Sequence, residues 1–169
     1  MIFSLRNQTY NELTEKLDKD DKIVVWACNF CVKFCGLGGR DNMNALADRL
    51  EGDGYNVVRR ELIGMSCLQD LVRKRKNEES TAQFFEDATV IIPLTCEDGN
   101  ANVKHVFDDK KVIDATKTLG LGVFSMEKGM TLNYPFESTG LKPSVDGIPV
   151  EEVAKATGCH TGSYDKCKD

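Results

Sequence analysis

Residues 23 to 39 read IVVWACNFCVKFCGLGG, and this stretch decides the fold. Its first five residues are all apolar, as in a strand that is covered on both faces of a sheet. Cys28, Cys31 and Cys35 follow directly, with the spacing C-x2-C-x3-C, and a glycine-rich segment comes next. In α/β sheets, ligands bind at the carboxyl ends of the strands. The stretch therefore predicts a buried strand that delivers a group of thiols to one edge of the sheet.

Strands and helices alternate along the rest of the chain. Apolar runs predict strands over residues 22–27, 57–62, 88–94, 112–113 and 121–126, and stretches with apolar residues at helical spacing separate most of them. Such an alternation implies right-handed crossovers and a parallel sheet with helices on both faces. The sequence therefore predicts an α/β fold with a flavodoxin-like, doubly wound parallel sheet, in the strand order 2-1-3-4-5.

The two ends of the chain have a different character. Thr9 and Glu12 have the spacing of a capping box, which predicts an amphipathic N-terminal helix. From residue 131 onward the chain carries three of its four prolines, and one helix is predicted from Pro149 to Thr157, closed by Gly158. We expect an α/β metal-binding domain over residues 1–130 and an extended C-terminal tail over residues 131–169, which lies along the domain or along a partner.

Composition and charge exclude several functional classes. The 169 residues are 41% hydrophobic, enough for one domain with a real core, and seven of them are cysteines. Closely spaced thiols without a predicted secretion signal indicate a reducing, cytoplasmic compartment, where they bind metal or do redox work. A net charge of −5 gives no general attraction to nucleic acid, and no apolar stretch has the length of a membrane span. We expect neither nucleic-acid binding nor membrane insertion.

Two further cysteines, at positions 67 and 96, each follow another predicted strand. Neighbouring strands lie about 4.8 Å apart, so loops at the ends of three adjacent strands converge within about 10 Å, roughly the width of an iron–sulfur cube. A [4Fe–4S] cluster needs four thiolates, and two short spacings plus a remote cysteine commonly supply them. The predicted metal ligands are Cys28, Cys31, Cys35, Cys67 and Cys96. Five candidates leave one spare, which the sequence does not identify.

Three glycines of the loop that carries the first cysteines are predicted to contact the cofactor. Gly36, Gly38 and Gly39 lack side chains, so their backbone N–H groups can approach sulfur closely and form an anion-accepting nest. Hydrogen bonds of this kind help to set a reduction potential. The same glycines lack the last position of the dinucleotide fingerprint G-x-G-x-x-G, which makes a nucleotide loop a weak alternative.

Other interpretations of the cysteines stay open. Four thiols can hold structural zinc, although zinc sites usually combine two close pairs. Free cysteines are also ordinary buried small hydrophobes. Cys159, His160 and Cys167 form a second, looser group, which is either solvated or a metal site that a partner subunit completes. No nucleophile with a base motif and no phosphate loop is present, so the chain is predicted to be non-catalytic.

The cysteine pattern also resembles a known family. Residues 23–39, Cys67 after the second strand, and the stretch LTCEDG at residues 94–99 are similar to the N-terminal domain of the iron–sulfur small subunit of anaerobic bacterial methylenetetrahydrofolate reductases. The stretches DKKV at residues 109–112 and TLG at residues 118–120 are similar too. The resemblance covers roughly residues 5–125, and its C-x2-C-x3-C-x2-G-G element is fairly specific.

The resemblance implies an electron-transfer subunit of an oxidoreductase complex in one-carbon metabolism. Such a subunit binds a flavin-containing catalytic subunit, and other iron–sulfur subunits are further candidate partners. By residue matching, the resemblance carries the same five cysteines over as the metal group. We therefore expect one [4Fe–4S] cluster that relays electrons to or from a flavoenzyme, with a zinc-stabilised scaffold or assembly subunit without redox role as the alternative.

Overall fold

The computed structural model describes residues 1 to 164. Over this range the chain forms a mixed α/β structure with seven α-helices and two four-stranded sheets. No helix in this part of the chain is both long and apolar enough to cross a membrane. The elements are β1 (Ile2–Arg6), α1 (Tyr10–Thr14), β2 (Lys22–Cys28), α2 (Cys31–Phe34), α3 (Gly39–Gly52), β3 (Asn56–Ile63), α4 (Gln69–Lys76), α5 (Ala82–Asp87), β4 (Val90–Leu94), α6 (Glu97–Val106), β5 (Lys111–Val112), β6 (Thr116–Ser125), β7 (Gly129–Pro135), a 3-10 turn (Glu137–Thr139), β8 (Ile148–Pro149) and α7 (Val150–Thr157).

The first sheet is parallel, as the sequence predicts, and β2 lies in its interior. Its strand order is β3-β2-β4-β5, and all its pairings are parallel. Every residue of β2 after Lys22 is buried, and so is all of β4. Both strands are therefore covered on two faces, which explains why they are continuous apolar runs instead of alternating ones.

Helices cover this sheet on both faces. Residues Ile23, Val25 and Ala27 of β2 pack in one apolar cluster with α1 and α3. Residues Val24 and Trp26 pack in another cluster with residues of α4, α5 and α6. The alternation of side chains along β2 thus assigns successive residues to opposite layers.

Trp26 organises the second of these layers. Its ring is fully buried, and its centroid lies 6.0 Å from that of Phe85 and 5.7 Å from that of Phe107. The indole Nε1–H donates to Ser66 Oγ at 3.0 Å, which satisfies the one polar group of the side chain. The same bond fixes Ser66, the residue before Cys67.

The second sheet is antiparallel and joins distant parts of the chain. Its order is β1-β6-β7-β8, and β1 pairs with β6 from Ile2 opposite Leu121 to Arg6 opposite Thr116. Helix α7 contacts β7 and β8 on this sheet. Its apolar cluster includes Phe3, Leu119 and Leu132.

The strand predicted over residues 121–126 lies in this second sheet, so its assignment to the parallel sheet is wrong. Residues 116–125 form β6, which pairs antiparallel with β1 and β7. The parallel sheet has four strands in the described part of the chain and lacks the predicted fifth. The N-terminal strand β1 is absent from the sequence prediction.

The segment predicted as an extended tail has regular structure over much of its described length. The boundary predicted at residue 130 falls inside β7, and β7 pairs with β6 along seven residues of chain. Helix α7 ends at Thr157, and Gly158 closes it with a φ of 70°, as its place in the sequence predicts. The capping box of Thr9 and Glu12 is also present.

The pairing of β7 predicts a large difference between two substitutions on that strand. Leu132 is fully buried, whereas Tyr134 is 63% exposed. We expect Leu132→Ala to lower the free energy of unfolding by about 2–5 kcal/mol, because it leaves a cavity in the core. Tyr134→Ala should cost less than about 1 kcal/mol. Urea unfolding followed by circular dichroism measures both. Equal midpoints for Leu132→Ala and the parent chain would mean that β7 is not part of the folded core.

Candidate metal centre

All five predicted ligands lie at the carboxyl edge of the parallel sheet. Cys28 is the last residue of β2, Cys31 begins α2 and Cys35 directly follows that helix. Cys67 lies in the connection between β3 and α4, and Cys96 lies between β4 and α6. Because β3, β2 and β4 are adjacent and parallel, these three connections meet at the same edge.

The winding of the chain places a topological switch point at this edge. Helix α3 follows β2 on one face of the sheet, whereas α4, α5 and α6 cover the other face. The connections that leave the carboxyl ends of β2 and β4 therefore turn to opposite faces. Ligands of open α/β sheets bind at such a switch point. Cys28 and Cys96 occupy the two strand ends that border it.

Cys28 and Cys96 pack in one small buried cluster. Their neighbours there are Val32 and Leu37 from the cysteine loop. The Cys28 thiol donates a weak hydrogen bond to the carbonyl oxygen of Gly64, with Sγ and O 3.7 Å apart. Cys96 is the N-cap residue of α6. The positions of both residues are therefore set by the backbone: Cys28 ends β2, and Cys96 caps α6.

The environment of Cys96 combines two opposing effects on its pKa. Burial raises the pKa of this thiol, while the backbone N–H of Gly99, which bonds the sulfur, lowers it. The nearby Asp98, Cys28 and Cys67 raise it further, because negative charges disfavour one another. The net shift is upward.

Cys35 points toward the second sheet. It belongs to the apolar cluster of Phe3 and Leu119, and its thiol donates to the carbonyl oxygen of Ile2 at 3.8 Å. Burial raises its pKa to about 11, against a smaller lowering by the backbone N–H of Ser4. At neutral pH Cys35 is a protonated thiol.

Electrostatic interactions connect the five sulfurs to one another. Loss of solvation is the largest cause of the raised pKa of Cys67, and the charges of Cys28 and Cys31 add to it. The charges of Cys31 and Cys96 likewise raise the pKa of Cys35. Each predicted ligand therefore lies within electrostatic range of at least two others. The site disfavours several thiolates at once unless a positive charge joins them.

The five thiols are suitable ligands for a metal or cluster that prefers sulfur, although they do not surround a single ion position. Among residues 1–164, no three His, Cys, Asp or Glu side chains lie close enough to hold a metal ion. Cys67 is exposed and Cys31 is half-buried, so the sulfurs on the outer side of the site can be reached from solvent. Thiolates suit iron–sulfur clusters and zinc, and a bound cationic core would remove their mutual repulsion.

The three glycines of the loop that carries Cys28, Cys31 and Cys35 allow the backbone of that loop to fold tightly. The backbone N–H of Gly36 donates to the carbonyl of Lys33, and that of Gly38 donates to the carbonyl of Val32. Gly36 and Gly39 have positive φ angles of 74° and 85°, which favour glycine. A Cβ on Gly38 would lie 2.4 Å from the carbonyl oxygen of Cys28. This close approach lets the loop fold back onto the end of β2.

Only two members of the second predicted group of ligands, Cys159 and His160, lie in the described part of the chain. Cys159 is buried in the apolar cluster of the second sheet. His160 pairs with Arg6 through two backbone hydrogen bonds of 2.9 and 3.2 Å. Cys167 lies outside the described residues.

Sequence reasoning missed the part that β1 plays at this site. The carbonyl of Ile2 accepts the Cys35 thiol, and the Ile2 side chain packs against the cluster of Cys28 and Cys96. Apolar Phe3 and Leu5 alternate with polar Ser4 and Arg6, which is a strand signal, but the strand spans only five residues and all four of these residues are buried.

The close contact at Gly38 predicts that alanine will destabilise the loop. In Gly38→Ala, the new methyl group would meet the Cys28 carbonyl oxygen and Val32 Cγ2, which lies 2.6 Å away. We expect a loss of about 1–3 kcal/mol in the free energy of unfolding. Gly52→Ala is the matched control, since nothing lies within 4 Å of its Cβ position and alanine favours the helix. Unfolding midpoints in urea measure both variants, and equal stability of Gly38→Ala and the parent would contradict the described packing.

The difference in ionisation and burial predicts an order of thiol modification. A thiol with a pKa of about 11 is ionised in only about one molecule in a thousand at pH 8, and the thiolate is the reactive form. In metal-free protein we expect iodoacetamide to modify exposed Cys67 before buried Cys35. Peptide mass spectrometry over time measures the order, and urea-unfolded protein provides the control in which the difference vanishes. Equal rates at the two positions in folded protein would refute this environment for Cys35.

Comparison with known proteins gives no function for this chain. No protein-family model, curated protein or solved structure matches this chain. The family resemblance of the cysteine pattern therefore stays a prediction, and the geometry at the carboxyl edge of the parallel sheet carries the argument.

Proposed function

We propose that this chain is a non-catalytic subunit that holds one [4Fe–4S] cluster and relays electrons to or from a flavin-containing partner. The observation that carries the proposal is that five thiols, from three separate connections, lie at one sheet edge. The switch point between the ends of β2 and β4 is the place where open α/β sheets bind ligands.

Four thiols are the better candidates for ligands. The charges of Cys28 and Cys31 raise the pKa of Cys67, and the charges of Cys28 and Cys67 raise the pKa of Cys96, so these four thiols are neighbours. Cys35 is instead bonded to Ile2 and packed in the cluster of the second sheet. Its environment supports the role of the spare thiol. When bound, a cluster of this type accepts and donates single electrons.

The surface around the cysteines supports a protein partner. Phe30 and Phe34 flank Cys31 in sequence and are 47% and 39% exposed. The ring of Phe34 lies 4.7 Å from that of Phe124, which is exposed as well. Leu68, next to Cys67, is 47% exposed. Clustered exposed apolar side chains are typical of interaction sites.

The identity of the partner rests on the sequence resemblance. A flavin-containing methylenetetrahydrofolate reductase subunit, or a related redox enzyme of one-carbon metabolism, is the partner that the resemblance implies. A flavin is a suitable neighbour for a one-electron carrier, because it exchanges electrons singly or in pairs. Other iron–sulfur subunits would extend the same electron path.

Serine variants test the ligand set. In chain expressed and purified without oxygen, we expect Cys28→Ser, Cys31→Ser, Cys67→Ser and Cys96→Ser each to lose more than half of the bound iron and acid-labile sulfide, since a serine oxygen is a poorer ligand. Cys159→Ala is the control and should keep both. Cys35→Ser should also keep both if Cys35 is the spare thiol.

Metal analysis separates the proposal from its alternative. Parent chain that contains stoichiometric zinc, no sulfide and no visible absorption would identify a zinc scaffold and overturn the redox role. Full iron in all four serine variants would overturn the ligand set. Anaerobic isolation from the native host, with a co-purifying flavin that dithionite-reduced chain can reduce, tests the partner.

A further inference from the structure

Ser66 anchors the connection that carries Cys67. Residues 65–68 form a turn, in which the backbone N–H of Leu68 donates to the carbonyl oxygen of Met65 at 3.4 Å. Ser66 and Cys67 are the two central residues of this turn. Ser66 is fully buried, whereas the neighbouring Cys67 is exposed. The Cα atoms of adjacent residues are only about 3.8 Å apart, so the buried residue limits where the exposed one can lie.

Two side chains from different elements hold Ser66. The indole N–H of Trp26 on β2 donates to the Ser66 hydroxyl group at 3.0 Å, in the interior of the protein. The Nδ2 group of Asn102 on α6 donates to the backbone carbonyl of Ser66, also at 3.0 Å. The first bond satisfies a buried donor of the core. The second bond comes from a half-buried side chain and joins the turn to α6.

Gly99 makes room for Ser66 beside Cys96. A Cβ on Gly99 would lie 2.9 Å from the Cβ of Ser66 and 2.9 Å from that of Thr95. The φ angle of Gly99 is not positive, so these close contacts explain the glycine better than backbone conformation does. The backbone N–H of Gly99 also bonds the sulfur of Cys96, the N-cap residue of α6. Ser66 therefore packs on the helical turn that bonds the Cys96 thiol.

We propose that Ser66 is a positioning residue, which holds Cys67 beside Cys96 before any metal or cluster binds. Its hydroxyl group joins the turn to β2, and its carbonyl group joins the turn to α6. Ser66 thereby contacts the two elements that carry Cys28 and Cys96. Ligands that are already in place lose less conformational freedom on binding, which increases affinity. This inference rests on the proposed function, because it takes Cys67 to be a ligand.

Cobalt titrations of the full, metal-free chain test the inference. Thiolates bound to Co²⁺ give a sulfur-to-metal charge-transfer absorption, and competition with a chelator gives the affinity. Loss of a group that orients a metal ligand typically lowers metal affinity 10–100-fold. We expect Ser66→Ala to weaken Co²⁺ binding about tenfold, and Asn102→Ala to weaken it several-fold. The absorption at saturation should equal that of the parent chain, since every thiol is still present.

Two controls separate positioning from a general loss of stability. Thr81→Ala removes another buried hydroxyl group, which donates to the carbonyl of Arg75 at 3.0 Å near the other end of α4, and should leave Co²⁺ affinity unchanged. In a Cys67→Ser background, where binding is already weaker, neither Ser66→Ala nor Asn102→Ala should cause a further loss. Circular dichroism shows which variants are folded, and Asn102→Ala decides the test if Ser66→Ala does not fold.

The outcomes distinguish this inference from the proposed function. Parent affinity in the folded Ser66 and Asn102 variants, with weaker binding in Cys67→Ser, would refute the positioning role and leave the ligand set intact. Equal losses in both backgrounds would mean that Ser66 acts on stability alone, which would refute it as well. Parent affinity in Cys67→Ser, or no thiolate–cobalt absorption in the parent chain, would overturn the inference together with the assignment of Cys67 as a ligand.

Discussion

The structure depends on the burial of β2 on both of its faces. From Ile23 to Cys28 each residue of this strand is buried, and alternate side chains enter two different helical layers. A strand that needs cover on two faces needs a neighbour on each side and crossovers on both faces. The first crossover therefore carries α3 on one face, and the return past β2 carries α4 and α5 on the other. That winding leaves a topological switch point at the carboxyl ends of β2 and β4, so the location of the thiols follows from the core.

The antiparallel sheet is hydrogen-bonded to the loops at the carboxyl edge of the parallel sheet. The carbonyl of Ile2 on β1 holds the Cys35 thiol, and the hydroxyl of Thr118 on β6 accepts from the backbone N–H of Glu97, at the start of α6. The hydroxyl of Thr116 donates to the carbonyl of Thr95 at 2.6 Å. These bonds join the second sheet to the loops that carry two of the cysteines. The cysteine edge is thus built by both sheets, and its rigidity depends on pairing between residues more than a hundred positions apart.

The sequence predicts those features that local physics determines. Burial on two faces makes β2 and β4 visible as apolar runs, and a cysteine directly after a strand has its position set by the strand end. The choice of partner for β6 is different, because its apolar residues suit a parallel or an antiparallel neighbour equally well. Its antiparallel pairings with β1 and β7 decide it, and β1 is a strand of only five residues. The role of Gly38 is non-local as well, since its neighbours include the carbonyl of Leu94 on β4, 3.4 Å from its Cβ position.

The electrostatics of the cysteine edge give the proposed cluster its physical basis. Burial raises the pKa of Cys35 and Cys96, and each thiolate would raise the pKa of its neighbours, so the metal-free site favours neutral thiols. The same edge also carries the N-termini of α3 and α6, where the helix dipole favours negative charge. A bound cationic core would remove the repulsion between the thiolates, and the two helix termini would stabilise the net negative charge of the ligated group. Cys96 already accepts the N–H of Gly99, so a positive charge bound there would act against the effect of its burial.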